Sequence, residues 1–358
     1  MSIELKEFFR PKTLAATAYE VASAEGMIKL DAMENPYPWP KALVDEWLAH
    51  LRQASPNRYP DPKALALKEA LRRYAKIPEA AEILLGNGSD EILQILLSAL
   101  AGQQAKVLAP EPSFVMYRKI AEQLSVDFIG IPLNPDFSLN LETWLLALKT
   151  LRPKIVFLAF PNNPTGNLFD PEAIYQIIEH TPGLVVVDEA YAPFAQVSFM
   201  DKVGQLENLL VVQTLSKLGL AGLRLGFLAG PKPWLEQFDK LRLPYNINVL
   251  TQLSAEFALA HFEVFERQTA RIRADRDQLL AELARLPVEV FPSAANFVLF
   301  RVANADQVFE RLKRQGVLIK NLNPQGGLLK GCLRVTVGTP QENQAFLNAL
   351  RLAIEGSH

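Results

Sequence analysis

Lys217 stands in Thr214-Leu215-Ser216-Lys217, directly after the apolar run Leu209 to Val212. Twenty-nine residues upstream, a second apolar run closes on Asp188-Glu189-Ala190-Tyr191. An amine and a carboxylate at the ends of neighbouring buried strands are what pyridoxal phosphate chemistry requires. The amine condenses with the cofactor aldehyde, and the carboxylate keeps the pyridine nitrogen protonated so that the ring draws in electrons. Alone, either residue is ordinary, since a lysine after a strand is usually solvated and acids commonly open turns. Their order, with Tyr191 three residues after the acid, makes the pair informative. The Tyr191 hydroxyl can hydrogen-bond the phenolate oxygen of such a cofactor; its plain reading is a core aromatic.

Four further motifs point the same way. Gly86-Asn87-Gly88-Ser89-Asp90-Glu91 opens a helix after the strand-like Ile83 to Leu85. Glycines admit a close backbone approach, and the exposed N–H groups with the helix dipole attract an anion, a phosphate with Ser89 as a further donor. Its plain alternative is a capped helix, and the missing third glycine excludes a dinucleotide fingerprint. Phe160-Pro161-Asn162-Asn163-Pro164-Thr165-Gly166 makes a rigid turn from which Asn163 can donate its amide to the ring oxygen. Arg224, seven residues past Lys217, can fork onto the cofactor phosphate beside Ser216 and Thr214, or be a plain surface residue. Arg334, inside the apolar Cys332-Leu333-Arg334-Val335-Thr336-Val337-Gly338, must be paired or face a site. A guanidinium there suits bidentate capture of a substrate carboxylate, with a structural ion pair as the alternative.

The elements that must position these residues are legible as short Val/Ile/Leu-rich runs alternating with helical patterns from about residue 80 to about 245. Strands are expected at Lys106 to Ala109, Asp127 to Ile131, Lys154 to Phe160, Leu184 to Asp188, Asn208 to Gln213 and Arg224 to Ala229. Helices are expected at Ser89 to Leu100, Phe114 to Gln123, Leu141 to Thr150 and Pro171 to Glu179. That alternation argues for an α/β fold with a mainly parallel sheet covered on both faces. Past Pro244 the pattern changes. Leu250 to Leu286 reads as one long, mostly helical stretch, followed by strands Val288 to Phe291 and Asn296 to Val302, a helix from Ala305 to Gln315, two short strands and a terminal helix from Gln341. This is the pattern of a small α+β domain bridged to the larger one. The expected division is 1–30 as an N-terminal arm joining the small domain, 31–245 as the large domain, and 246–358 as the linking helix and small domain.

Bulk properties exclude several classes. Of 358 residues 49% are apolar and 21% charged, with a net charge of −2, which describes a soluble globular chain with no pull toward nucleic acid or an anionic membrane. A lone Cys332 precludes an internal disulfide and suits a reducing compartment. The N-terminus lacks the apolar core of a signal peptide, and no run of about 18 apolar residues occurs, so a cytoplasmic address is expected. Four scattered histidines give no zinc spacing, and no Gly-x-Ser-x-Gly elbow is present.

With these motifs in this order, the chain resembles the fold type I, aspartate-aminotransferase-like family of pyridoxal phosphate enzymes over nearly its whole length. Within that family it is most similar to the histidinol-phosphate aminotransferase branch, on Glu34-Asn35-Pro36-Tyr37, Asn57-Arg58-Tyr59-Pro60, Gly86 to Glu91, Pro161 to Gly166, Asp188 to Tyr191 and Leu333 to Thr339. The resemblance implies a large domain with a seven-stranded sheet, a small C-terminal domain, pyridoxal 5'-phosphate as cofactor, and a homodimer. It implies that Lys217 carries the cofactor, Asp188 faces the pyridine nitrogen, Asn163 and Tyr191 meet the ring oxygen, and Phe114 stacks on the ring. Gly88, Ser89, Asp90, Thr214, Ser216 and Arg224 would surround the phosphate, with Tyr59 reaching in from the other subunit. Arg334 would bind the glutamate carboxylate or, in the other half-reaction, the histidinol phosphate group; Tyr19, Asn35 and Lys320 would line the substrate side.

Three positions depart from the family pattern. The Lys217–Arg224 spacing is one residue short, Pro38-Trp39 stands where glycine is usual, and Lys320 stands where arginine is frequent. Lysine keeps the charge without the bidentate fork, so these departures bear on the substrate rather than the chemistry. An aromatic or broad-range aminotransferase, in which Phe114, Tyr59 and Trp39 surround a flat ring, is the nearest alternative. Further off stand an amino acid phosphate decarboxylase and a non-catalytic cofactor-binding module.

Overall fold

The computed structural model describes residues 4–15, 17–18 and 22–355. Thirteen strands occur in it: β1 (Ile28–Lys29), β2 (Ala81–Asn87), β3 (Lys106–Glu111), β4 (Asp127–Pro132), β5 (Ile155–Ala159), β6 (Leu184–Asp188), β7 (Leu209–Thr214), β8 (Leu225–Pro231), β9 (Glu289–Val290), β10 (Phe297–Arg301), β11 (Val317–Leu318), β12 (Lys320–Asn321) and β13 (Cys332–Thr336). Seven of them form one sheet in the order β2-β8-β7-β6-β5-β3-β4. All run parallel except β8, which is antiparallel to both β2 and β7. The expected α/β sheet is therefore present.

Successive side chains of a strand face opposite sides, so a sheet buried on both faces needs continuous apolar runs. Strand β6 shows the consequence. Val185 and Val187 join one core with Trp144 and Leu148 of the helix Leu141–Leu151 and Ile174 and Ile177 of the helix Pro171–His180. Leu184 and Val186 join the opposite core with Ile92 and Leu96 of the helix Gly88–Ser98 and Tyr117 and Ile120 of the helix Val115–Gln123.

A second, antiparallel sheet has the order β12-β13-β10-β9, and β1 pairs in parallel with β11. Its core, with Phe297, Phe300, Val335 and Phe346, is backed by the helices Ala305–Arg314 and Pro340–Glu355. The stretch Leu250 to Leu286, expected as one helix, is two: Val249–Ala260 and Phe262–Leu283. His261 breaks the run at φ −114°, ψ 34°, with its Nδ1 against the Phe257 carbonyl at 2.9 Å.

Candidate active site

The carboxyl ends of adjacent parallel strands are where ligands bind in open α/β sheets. Here β7, β6, β5 and β3, neighbours in the sheet, lead respectively into Lys217, Asp188, Asn163 and Phe114. Asp188 continues the alternation of Leu184 and Val186, so its carboxylate turns toward the helix Val115–Gln123. Tyr117 Oη donates to Asp188 Oδ2 at 2.8 Å, and the Ala190 N–H donates to Oδ1 at 3.1 Å. Burial pushes Asp188 up to about 6, against the pull of these two hydrogen bonds. Glu189, the next residue, faces the other way. It is buried, pushed up to about 7 by that burial, and accepts from Ser198 Oγ, the Phe199 N–H and Gln213 Nε2.

After β7 the chain turns tightly through Ser216–Leu220, where Gly219 has φ 124°. The backbone angle favours glycine, and a Cβ at Gly219 would lie 2.9 Å from Asn35 Nδ2 and push that amide aside. The turn aims the Lys217 amine inward, where Nζ donates to the Ala32 carbonyl at 3.0 Å. Burial first, and then the charge of Arg334, lower this amine to about 8. Only the neutral amine condenses with an aldehyde. The rate at which cofactor-free protein takes up pyridoxal phosphate, followed by visible absorbance, is therefore expected to climb with pH and level off above about 8. A rate still climbing beyond pH about 10, the range of an unperturbed lysine, would show the amine to be solvated.

Asn163 links two expected site residues. Its Nδ2 donates to Tyr191 Oη at 3.0 Å, and its Oδ1 accepts from Arg334 Nη1. Arg334 Nη2 also donates to the Asp31 carbonyl at 3.1 Å, and the guanidinium lies over the Phe297 ring. Lys320 is the cross-strand partner of Arg334, which puts both cations on one face of the small sheet.

On the other side, the helix Gly88–Ser98 starts directly where β2 ends. Gly88 has φ 77°, and a Cβ there would sit 2.6 Å from Arg224 Nη2. At Gly226 a Cβ would meet the Ser89 nitrogen at 2.6 Å. Glycine at both positions lets β8 and the Arg224 guanidinium close on the helix start. Arg224 itself takes the left-handed conformation, φ 49°, ψ 49°, and its Nη2 lies 3.7 Å from Asp90 Oδ2. Thr214 Oγ1 accepts from the Ser216 N–H at 3.1 Å, holding both hydroxyls together.

One cavity collects most of these groups. Lys217, Asp188, Tyr191, Asn163 and Phe114 line it, as do Ser89, Asp90, Thr214, Ser216 and Arg224. The shortened Lys217–Arg224 spacing thus still delivers Arg224 to the cavity wall. Gly88 sits behind Arg224, and Arg334 reaches the cavity through Asn163. Other expected residues lie elsewhere. Asn35 is engaged with the Leu218 carbonyl, Gln268 and the Tyr37 N–H beneath the lysine turn. Tyr59 is 80% exposed and stacked on Tyr245. Tyr19 falls outside the described residues. Trp39, considered above as a wall for a flat ring, packs instead against Trp47, Phe257 and Phe265 and donates to the Gly219 carbonyl.

Sequence reasoning missed Met33, which lines the cavity, and Tyr117. Tyr117 follows Phe114 by three residues at the start of a helix, a spacing that sets both rings on one side. That signal was present, but a buried tyrosine reads first as core. The residues together fit pyridoxal phosphate: a lowered amine, a buried acid, and a helix N-terminus flanked by hydroxyls and an arginine, whose guanidinium a Cβ at Gly88 would displace.

Comparison with known proteins agrees. The chain matches the aminotransferase class I and II family over residues 25–350. It is 53% identical over 348 residues to histidinol-phosphate aminotransferase 2 of Nitrosococcus oceani, covering 96% of this chain and 97% of that one. It is 50% identical over 352 residues to the histidinol-phosphate aminotransferase of Chromobacterium violaceum, covering 98% and 99%. The crystal structure of histidinol-phosphate aminotransferase from Sinorhizobium meliloti, in complex with pyridoxal-5'-phosphate, matches with a TM-score of 0.86 at 23% identity over 100% of both chains, a likeness of fold. The chain belongs to the class I and II aminotransferase family, in its histidinol-phosphate aminotransferase branch.

Proposed function

We propose that the protein transfers an amino group between L-histidinol phosphate and 2-oxoglutarate, giving imidazole acetol phosphate and L-glutamate, with pyridoxal 5'-phosphate carried on Lys217. The observation that carries the reading is the convergence of Lys217, Asp188, Asn163 and Tyr191 in one cavity, with Asn163 accepting from Arg334, the cross-strand partner of Lys320. The identity of about half of all residues with relatives of that name supplies the substrate.

When bound, pyridoxal phosphate supplies an electron sink for the pair released as the substrate Cα–H bond breaks. The protein does the rest. Lys217 Nζ would take the substrate Cα proton. Asp188 would hold a positive charge on the ring nitrogen, and Asn163 with Tyr191 would hold the ring through its oxygen. Burial holds the Tyr191 hydroxyl protonated, well above its ordinary value, so that it acts as a donor. Arg334 captures the carboxylate of glutamate in one half-reaction and the phosphate of histidinol phosphate in the other.

Lys320 separates these two jobs, since a dianionic phosphate gains from a second cation more than a carboxylate does. A Lys320→Ala enzyme is expected to raise KM for histidinol phosphate roughly tenfold, the loss of one charge-assisted contact, while KM for glutamate stays within about twofold. Equal changes for both substrates in steady-state kinetics would remove Lys320 from the phosphate.

The reading includes a homodimer in which Tyr59 serves the partner's site, a cytoplasmic address, and the division at about residue 245. The stacked, exposed Tyr59–Tyr245 pair supports the first, and the absence of any described helix long and apolar enough to cross a membrane is compatible with the second. The separate core of the second sheet supports the third. The test of the whole is to convert the yellow enzyme with glutamate and then add imidazole acetol phosphate or phenylpyruvate in parallel. Return of the original spectrum with the imidazole phosphate alone is the expected result. A comparable return with phenylpyruvate would mark a broad-range enzyme, and release of carbon dioxide from an amino acid phosphate would mark a decarboxylase.

A further inference from the structure

We propose that Tyr117 is a positioning residue that acts through Asp188: its hydroxyl fixes the carboxylate's orientation and keeps it a weak enough base to leave the proton on the cofactor's ring nitrogen. The inference rests on the pyridoxal phosphate reading above and goes beyond it by assigning a device that sets the ring's protonation.

The geometry carries the argument. Tyr117 is fully buried in the first turns of the helix Val115–Gln123. Its ring stacks flat on Phe157 of β5, with centroids 4.8 Å apart and planes 8° apart, and meets Phe114 edge-on at 5.5 Å. Two aromatic neighbours on separate elements leave the phenol one orientation, and in it Oη lies 2.8 Å from Asp188 Oδ2. Phe114 lines the cavity while Tyr117 stands behind it, so one helical turn supplies both the ring facing the cofactor and the clamp on its acid.

The proton logic follows from counting lone pairs. An ionised carboxylate has about four acceptor sites. Tyr117 fills one on Oδ2 and the Ala190 N–H one on Oδ1, which leaves the remaining sites free to face a ring N–H. A hydrogen bond to the charged form favours it. The groups around the acid otherwise mostly oppose ionisation: burial and the negative Asp90 both raise its proton affinity, Glu189 adds a second buried carboxyl next door, and Tyr191 stays neutral. Without Tyr117 the carboxylate becomes the stronger base, and the shared proton moves from the ring nitrogen toward Asp188. The ring then loses the positive charge that makes it an electron sink. Tyr117 is itself held well above its ordinary value by burial and by Asp188, so it remains a donor at every working pH.

A Tyr117→Phe enzyme keeps both ring contacts and loses the hydroxyl alone. With ¹⁵N-labelled pyridoxal phosphate bound, the ring nitrogen resonance is expected to move toward the neutral pyridine position and to titrate with pH, where the parent enzyme stays protonated. In cofactor-free protein labelled at aspartate carboxyl carbons, the Asp188 titration is expected to shift upward by about one unit, the loss of one hydrogen bond to a charged group. The value of kcat should fall about ten- to a hundred-fold with KM little changed. In an Asp188→Asn background the Tyr117→Phe change should leave cofactor affinity unaltered, because the ionisable carboxylate whose basicity it sets is gone. A Tyr117→Phe enzyme with a lower melting temperature but unshifted ring-nitrogen and Asp188 signals would overturn the proposal and leave Tyr117 as core. Failure of histidinol phosphate as substrate would sink the proposed function without touching these two resonances.

Discussion

A Lys217→Ala enzyme is expected to lose turnover by about four orders of magnitude or more and still fold. General acid–base transfer by a positioned side chain is worth about 10²–10⁴, and on the proposed function Lys217 is also the group that would condense with the cofactor, so both contributions would vanish together. Among the described residues that line the cavity there is no second amine: Arg224 lies at the helix start, and a guanidinium does not give up its proton. The fold should not suffer. The amine's value in the folded state is depressed from 10.5 to about 8, so the stability tied to its neutral form is complete above about 10.5 and lost as pH falls through about 8. Below pH 8 the native protein therefore carries an enclosed charge it would be more stable without. Cofactor-free Lys217→Ala is expected to melt at or above the parent temperature at pH 7, and rapid-mixing absorbance with glutamate should show no conversion. Turnover above about a tenth of the parent rate would assign the proton transfer to another group.

The chemistry was more legible in the sequence than the packing that supports it. Lys217, Asp188 and Asn163 could be found because each sits where an apolar run ends, and strand ends in a parallel sheet converge on one edge whatever fills the core. Strands β2, β3 and β5 to β8 were readable for the same reason, as continuous runs buried on both faces, whereas the edge strand β4 is only partly buried. Gly88 and Gly226 mark a close approach that no linear spacing reveals, since residues 138 apart in sequence meet there through the β2–β8 pairing. Trp39 shows the limit from the other side. Beside Asn35-Pro36-Tyr37 it looked like a pocket wall, but an indole with Trp47, Phe257 and Phe265 around it gains more from burial than from a cavity rim. It still serves the site, since its Nε1 holds the Gly219 carbonyl at the back of the lysine turn. The spacing of Tyr117 from Phe114 was legible, but its hydrogen bond to a strand end 71 residues away has no periodic signature.

An Asp188→Asn enzyme is expected to show the opposite balance, weaker catalysis on a more stable scaffold. Asparagine matches the shape and can still meet the Tyr117 hydroxyl and the Ala190 N–H, but it cannot hold a positive charge on the ring nitrogen. Removing one preorganised electrostatic partner of a developing charge costs about 10²–10³ in kcat, and that is the loss expected here, with KM for glutamate little changed because Arg334 is untouched. Stability runs the other way. Burial raises Asp188 from 3.8 to about 6, so between those values the native state binds more protons than the unfolded chain. Stability therefore falls as pH rises through that window and does not recover above it. Asparagine has no such loss. The melting temperature of the cofactor-free variant should match the parent near pH 4 and exceed it by a few degrees at pH 8, and the proposed placement of a ring cation against the carboxylate predicts that the parent regains the difference on binding pyridoxal phosphate. A variant that melts below the parent at pH 8 would mean that the two hydrogen bonds to the carboxylate outweigh its burial. Asp188 would then be a structural acid that the site borrows, rather than a charge kept for chemistry at the expense of the fold.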